Sequence, residues 1–431
     1  MLNFNRFTEI FKEKQILSIF FLGFSSGLPF LLTLATLHVW LSEGGASKTT
    51  IGLFVLITLP YSLKFLWAPF VDHLKIPYFT EKFGQRRSWM LISQFFVIIS
   101  LLALGMTNPH ANIIFTALAG VMVAFASATQ DITFEAYRVE ILKSHELGMG
   151  AGASMLGYRM GMWVSGAGAL YLASYFSWFV VYTFMACCVS IGMLTTLLSC
   201  EPVLSQDALK IKSISQTLLE KIKKSAASLF QRENWQIIVM YIIFYKVGDT
   251  ILNVMTAPFL LETGFSKLEI AHVAKSFGIG AVILGGCIGS FTLTKKPLID
   301  TLILCSLLQI FSCLMFALQA YVGYNLWMLF ATIGIENLTC GIGTAAFIAY
   351  LSSLTRAPYT ASHYALLSSI GSLARVSLSF FAGWSADHLE WVDFYLLTAA
   401  ACTPGFILLL FWAHNFNYSS STIFAFKAKQ A

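Results

Sequence analysis

Long stretches without one ionisable carboxylate, ammonium or guanidinium constrain this chain more than any other feature. No Asp, Glu, Lys or Arg lies between Lys14 and Glu43, between Arg87 and Asp131, or between Arg159 and Glu201. A bilayer-crossing helix needs about 20 predominantly apolar residues, so each of the two longer runs holds a pair of spans. Thr107, Asn108, Pro109 and His110 break one run and 174–177 break the other, both with turn-forming residues. Only 11% of the residues are charged and 57% are hydrophobic, whereas a soluble domain carries about 25% charged residues. So few charges cannot clothe a soluble fold of this length.

The apolar runs predict about twelve spans, over 16–41, 49–71, 88–107, 111–135, 146–174, 177–199, 235–259, 267–292, 298–319, 324–353, 359–385 and 393–414. The first is too long for a cleavable signal and lacks a small-residue cleavage site. Most of the 27 Lys and Arg residues fall in the N-terminus, in 72–87, 136–145, 200–234, 293–297 and 354–358, and in the C-terminus. The opposite loops hold only Lys48 and Lys267. That bias places both termini in the cytoplasm, so the net charge of +6 reports topology rather than nucleic-acid binding. The eight cysteines lie in or beside apolar spans without ligand spacing and read as small apolar residues, not as disulfides or metal ligands.

The chain repeats itself. Leu41, Glu43, Gly45, Ser47, Lys48 and Ile51 recur at one constant offset as Leu260, Glu262, Gly264, Ser266, Lys267 and Ile270. Phe134, Ala136 and Tyr137 recur at a slightly smaller offset as Phe347, Ala349 and Tyr350. The expected organisation is an N-terminal six-helix half (1–199), a central cytoplasmic loop (200–234) and a C-terminal six-helix half (235–431). A parallel repeat of this kind is the major facilitator layout. Asp72, Arg86 and Arg87 approximate the signature of that fold, an Asp at a span end and a Gly-Arg-Arg turn, stretched here by 75–83. A carboxylate and arginines so placed can latch inner helix ends together and release them. The bland reading is a solvated loop with ordinary topogenic positives.

Ionisable residues at membrane depth cost about 2.5–3.5 kcal/mol each on insertion scales and normally face a cavity or a partner. Here they are Asp131 and Glu135 in span 4, Arg159 in span 5, Lys246 and Asp249 in span 7, Glu336 in span 10 and Arg375 in span 11. Lys246 and Asp249 share a helix face. Each half thus offers an acid on one helix and a base on the next, Asp131 with Arg159 and Glu336 with Arg375, and Gln130 and Asn337 flank the two acids. Ion pairs that merely glue helices are the alternative for any one pair; a charge-lined pathway for substrate or protons is the reading for the set. Lys64, His272 and Lys275 lie nearer span ends, where long side chains snorkel. Tyr158, Tyr245, Tyr350 and Tyr364 are placed to stack on a sugar ring. Small residues in 23–29 and 148–170 allow close helix contact.

The segments SATQDITFEAYR (127–138), LGYRMGMWVSGAGALYLA (156–173), YKVGDTILNVMTAPFLLETGFSKLEI (245–270), GIGTAAFIAYLSSLT (341–355) and YTASHYALLSSI (359–370) resemble the AmpG-type muropeptide permeases of the major facilitator superfamily. SGLPFLLT (26–33) and FGQRRSW (83–89) do so too. The resemblance implies an all-α polytopic membrane protein with the major facilitator fold, about 12 transmembrane helices in two six-helix halves. It implies proton-coupled import of anhydro-muropeptides, sugar–peptide fragments of peptidoglycan recycling, across the bacterial inner membrane. It also puts Gln130, Asp131, Tyr158, Arg159, Lys246, Asp249 and Arg375 at motif positions. His363 stands where that motif has Gln, and some relatives carry two further helices. The same fold carrying another anionic metabolite or a drug is the alternative. An embedded enzyme would need catalytic groups on sizeable loops; the outer loops are a few residues long and 200–234 has no catalytic cluster. The expected partners are the substrate, protons and the bilayer, with no nucleic acid, cofactor or metal.

Overall fold

In the computed structural model of the chain, the described residues are 14–45, 50, 53–109, 111–143, 146–203, 227, 235–270, 272–273, 277–355 and 359–415. Nearly all of the central loop, Lys48 and Lys275 lie outside them. Among the described residues the structure is helical, without strands. By compactness the chain divides into two units: Met1–Lys143, Ala153–Leu229 and Leu354–Ser369 form the first, and Ser144–Gly152, Phe230–Ser353 and Ile370–Ala431 form the second.

The helices of the first half are α1 (Lys14–Leu32), α2 (Ala35–Glu43), α3 (Leu59–Leu63), α4 (Ala68–His73), α5 (Phe79–Phe83), α6 (Gln85–Gly105), α7 (Ile113–Ile141), α8 (Leu147–Trp163), α9 (Ala169–Ala173) and α10 (Trp178–Leu198). Those of the second are α11 (Trp235–Glu262), α12 (Lys267–Ile270), α13 (Gly278–Lys295), α14 (Leu298–Val322), α15 (Leu326–Leu354), α16 (Thr360–His388) and α17 (Trp391–Asn415). Among the described residues, 10 helical segments are long and apolar enough to cross a membrane, with α1 and α2 counted as one.

The other two expected spans are present but interrupted. Span 2 is a chain of short turns: a 3₁₀ turn at Phe54–Thr58, then α3, a second 3₁₀ turn at Lys64–Leu66, and α4. Pro60 and Pro69 sit in the first turns of α3 and α4, where the missing N–H costs least, but each bars an unbroken helix through its own position. Span 5 is α8 and α9 joined by a wide turn at Val164–Gly168. The hydroxyl of Thr36 donates to the Ser165 carbonyl in that turn at 2.7 Å.

Elsewhere helices outrun the expected boundaries. Asn112 caps α7, its side chain accepting from the Ile114 and Phe115 amides at 3.1 and 3.3 Å. At the other end α7 continues to Ile141, through residues expected as loop, because Arg138 and Glu140 find partners there. The Arg138 guanidinium lies 5.4 Å over the Tyr364 ring, and Glu140 bonds Arg86.

Each unit has its own apolar core. In the first, α1, α6, α7 and α10 interlock around Leu28, Val97, Leu101, Val123, Met185 and Val189. In the second, α11, α14 and α17 do so around Leu252, Phe259, Phe316 and Tyr395. Glycines bring backbones together. A Cβ at Gly157 or Gly161 of α8 would strike the Phe20 or Phe24 carbonyl of α1, and one at Gly285 of α13 would strike that of Leu338 of α15. Outward, Phe95, Phe96, Phe115, Leu118, Phe125, Leu284 and Leu318 are exposed. So much bare apolar surface suits lipid and not water.

The sequence repeat has a structural counterpart. At the end of α2, Glu43 accepts from the Trp178 indole at 2.8 Å, and Trp178 stacks on Trp40 with Tyr182 beside both. At the end of α11, Glu262 accepts from the Trp391 indole at 2.7 Å, and Trp391 packs on Phe259 with Tyr395 beside both. The two clasps match residue for residue at the offsets of the sequence repeat. Gly45 and Gly264 follow them with φ of +68° and +98°, a region that glycine enters without strain.

Candidate functional site

Three clusters hold most of the ionisable residues at issue, and each lies within one unit. The first is built on α7. Asp131 is 9% exposed and accepts from the Ser26 hydroxyl of α1 at 2.5 Å. The neighbouring Gln130 donates to Ser25 at 3.1 Å, leaving its Oε1 without a partner among the described residues. One turn along, Glu135 pairs with Lys64 at 2.8 Å, and Trp67 donates to Thr129 at 3.1 Å. The Ser25–Ser26 pair of the small-residue run in α1 thus supplies hydroxyls to the polar face of α7.

Two expectations are corrected here. Lys64 does not snorkel; it is buried, because the broken span 2 turns its side chain toward α7. Nor do Asp131 and Arg159 pair. Arg159 is half-buried on α8 and its guanidinium has no partner among the described residues. The glycine face of α8 packs on the α1 backbone, which leaves Arg159 outside that contact. Tyr158 beside it is half-buried.

The second cluster joins helix ends. Arg86 bonds Glu140 through two nitrogens at 2.8 and 2.6 Å and Asp72 at 2.8 Å. Asp72, fully buried, also accepts from the Ala361 and Ser362 amides at 3.2 and 2.8 Å and from the Ser362 hydroxyl at 2.5 Å. It therefore caps the N-terminus of α16 while neutralising Arg86. Arg87 holds a neighbouring helix end. It donates to the Thr196 and Leu197 carbonyls at 3.0 and 2.7 Å, filling orphan acceptors at the end of α10. Glu201 accepts from the Arg86 and Arg87 amides at 2.8 and 3.0 Å. Burial pushes the Glu201 carboxyl above its usual range, against the downward pull of those two amides. Glu140, Glu201 and Ser362 were missed as site residues. Glu201, the first acid after a long charge-free run, was the one with a signal.

The third cluster lies on α11. Lys246 pairs with Asp249 at 3.3 Å on the shared face that their spacing implies, and its ammonium lies 4.7 Å over the Phe347 ring. Asp249 also accepts from Asn253 at 3.2 Å and lies 3.6 Å from the Cys340 sulfur. A small crevice opens here, lined among others by Tyr245, Lys246, Asp249, Gln309 and Cys340. Glu336 accepts from its neighbour Asn337 at 2.5 Å, not from Arg375. The Arg375 guanidinium is exposed on α16 with no partner among the described residues, so the second expected acid–base pair also fails to form.

The tyrosines expected to meet a sugar are largely occupied. Tyr245 already stacks on Phe347, with centroids 4.6 Å apart. Tyr350 is buried against Tyr241, and Tyr364 is buried under Arg138. His363 is buried as well, and His272 is exposed. Among the described residues no group of three or more His, Cys, Asp or Glu is placed to hold a metal, and the eight cysteines are free thiols.

Buried charge carried on helices long and apolar enough to cross a bilayer fits a polytopic membrane protein with polar groups kept inside it for a cavity or a partner. The sequence model of the Major Facilitator Superfamily matches residues 17–322. The chain is 34% identical over 418 residues to the anhydromuropeptide permease of Escherichia coli (strain K12), covering 96% of this chain and 83% of that one. It is 32% identical over 401 residues to the putative transporter AmpG 1 of Rickettsia bellii, covering 92% and 98%. Among solved structures, the Escherichia coli fucose:proton symporter FucP superposes with a TM-score of 0.69 at 12% identity, covering 92% of this chain and 97% of that one. The proton:xylose symporter XylE superposes at 0.66 and 12% identity, covering 93% and 94%; these two likenesses bear on the fold. The chain belongs to the major facilitator superfamily and, within it, to the AmpG family of transporters.

Proposed function

We propose that this transporter imports anhydro-muropeptides across the bacterial inner membrane, driven by the proton gradient, with both termini in the cytoplasm. The observation that carries the reading is a pair of arginines, Arg159 in one unit and Arg375 in the other, whose guanidiniums have no protein partner among the described residues. A cation at membrane depth needs compensation, and the carboxylates of a peptide-bearing sugar supply it in the bidentate geometry that guanidinium favours. Relatives named as anhydromuropeptide permeases support that substrate class. Gln130 and Tyr158 in the first unit, and Lys246, Asp249 and Glu336 in the second, are the further residues assigned here to substrate or proton passage. Asp72, Arg86 and Arg87 form a latch that opens at the inner helix ends as access alternates.

Asp131 is the first choice for the proton carrier. It is buried with a hydroxyl for a partner rather than a cation, so it gains most from holding a proton when desolvated and from a charge when the site opens. Labelled anhydro-muropeptide uptake into right-side-out and inverted vesicles, with and without an imposed proton gradient, tests the reading. Asp131→Asn is expected to abolish gradient-driven accumulation while counterflow exchange stays measurable, since the amide resembles the protonated acid. Intact pH-dependent accumulation in that variant would remove Asp131 and move the role to Asp249.

A further inference from the structure

We propose that Lys64 is the exchangeable counter-ion of the α7 acids: it bonds Glu135 while Asp131 holds a proton, and moves to Asp131 when that proton leaves. This rests on the proton-coupled reading above.

Asp131 and Glu135 stand one helical turn apart on α7, close enough for one side chain to serve both. Among the described residues one lysine faces them, and it sits on Glu135 at 2.8 Å. The other groups around them are the Ser26 hydroxyl from α1, the Tyr61 ring from α3, Tyr364 from α16, and Arg138 on α7 itself, whose guanidinium lies over Tyr364. Among the described residues Lys64 is the cation bonded to either carboxylate, the Arg138 guanidinium being engaged over Tyr364, so the acid that lacks Lys64 must meet its charge in another way; an uncompensated buried charge costs several kcal/mol.

The two acids differ in how they can meet that cost. The Glu135 side chain is 21% exposed, so water can hold its charge when Lys64 leaves. Asp131 is nearly enclosed, so it needs a proton or a cation. The observed arrangement has Lys64 on Glu135 and no ammonium on Asp131, which is the arrangement assigned here to a protonated Asp131, whose carbonyl oxygen still accepts from Ser26. On release, the Asp131 O–H bond breaks and the proton passes to water. The Lys64 ammonium then gives up its bond to Glu135 and forms one to Asp131. Reprotonation reverses both moves, and no electrons are transferred. A compact ammonium on a flexible stem suits such an exchange better than a planar guanidinium.

The test uses the full chain in proteoliposomes, with labelled anhydro-muropeptide as the probe. Lys64→Met and the charge-balanced Lys64→Met/Glu135→Gln are measured beside Asp131→Asn, for counterflow exchange and for accumulation across a range of pH. The double variant removes a salt bridge as a unit, which spares folding the orphaned charge that the single variant creates. Expected is measurable exchange in the double variant, with accumulation lost and the pH dependence of exchange flattened, as in Asp131→Asn. If Lys64 merely braces Glu135, the double variant accumulates substrate with the pH profile of the wild type, and that result overturns the proposal. Loss of exchange as well, or failure of the double variant to insert, would make Lys64 a substrate contact or a brace and equally overturn it. Normal accumulation in Asp131→Asn would instead sink the proton-coupled reading, and this proposal with it.

Discussion

Arg159 sits half-buried on α8 with its guanidinium unpaired among the described residues. At this scale the structure departed most from what the sequence implied. Charge and depth marked the right positions, because a charged residue inside an apolar run is visible as such. They did not say which acid meets which base, because pairing depends on which face of which helix turns inward. Asp131 took a serine and Lys64 took Glu135, while the Arg159 and Arg375 guanidiniums have no partner among the described residues. Arg159→Ala is therefore expected to insert normally and to lose uptake about tenfold or more, as loss of one charge-assisted contact of about 1.5–3 kcal/mol implies. Arg159→Lys recovers little, since a point charge does not reproduce the bidentate fork. Vesicle uptake with expression measured alongside checks this, and normal uptake by the Ala variant would reduce Arg159 to packing.

At the scale of elements, ten spans were legible as continuous apolar runs, and the two interrupted ones were legible as apolar but not as broken. Hydropathy averages over a window and is blind to the backbone. Pro60 and Pro69 decide that span 2 is a series of short turns, and that irregularity brings Lys64 inward. The duplicated Glu–Trp clasps show the reverse case. The repeat was visible in Glu43 and Glu262, but their tryptophans are distant in sequence and became partners only through folding. Because the chemistry is duplicated, Trp178→Phe and Trp391→Phe are expected to cost about the same, roughly 0.5–1.5 kcal/mol for one hydrogen bond. Thermal unfolding in detergent reads both; a large loss at one site with none at the other would show that the clasps are not equivalent.

At the scale of the whole molecule, topology follows from charge bias and can be checked without any structure. Reporter fusions after Gln206 and after Lys429 are expected to read as cytoplasmic, and one near Asn108 as external. An external reading at Gln206 would sink both the helix count and the six-plus-six arrangement proposed here. The sequence by itself determined that the chain enters a membrane, roughly where its helices run, and which family it resembles. Those properties rest on composition and local order, since a bilayer excludes charge from any continuous span and so writes its thickness into the chain. Tertiary structure alone decided the partners: Asp72 beneath the first turn of α16, Lys64 on Glu135, Arg87 on the end of α10. The reason is physical. A buried charge must be compensated by whatever group packing brings within about 3 Å, and that group is set by helix rotation and close glycine contacts rather than by nearness along the chain.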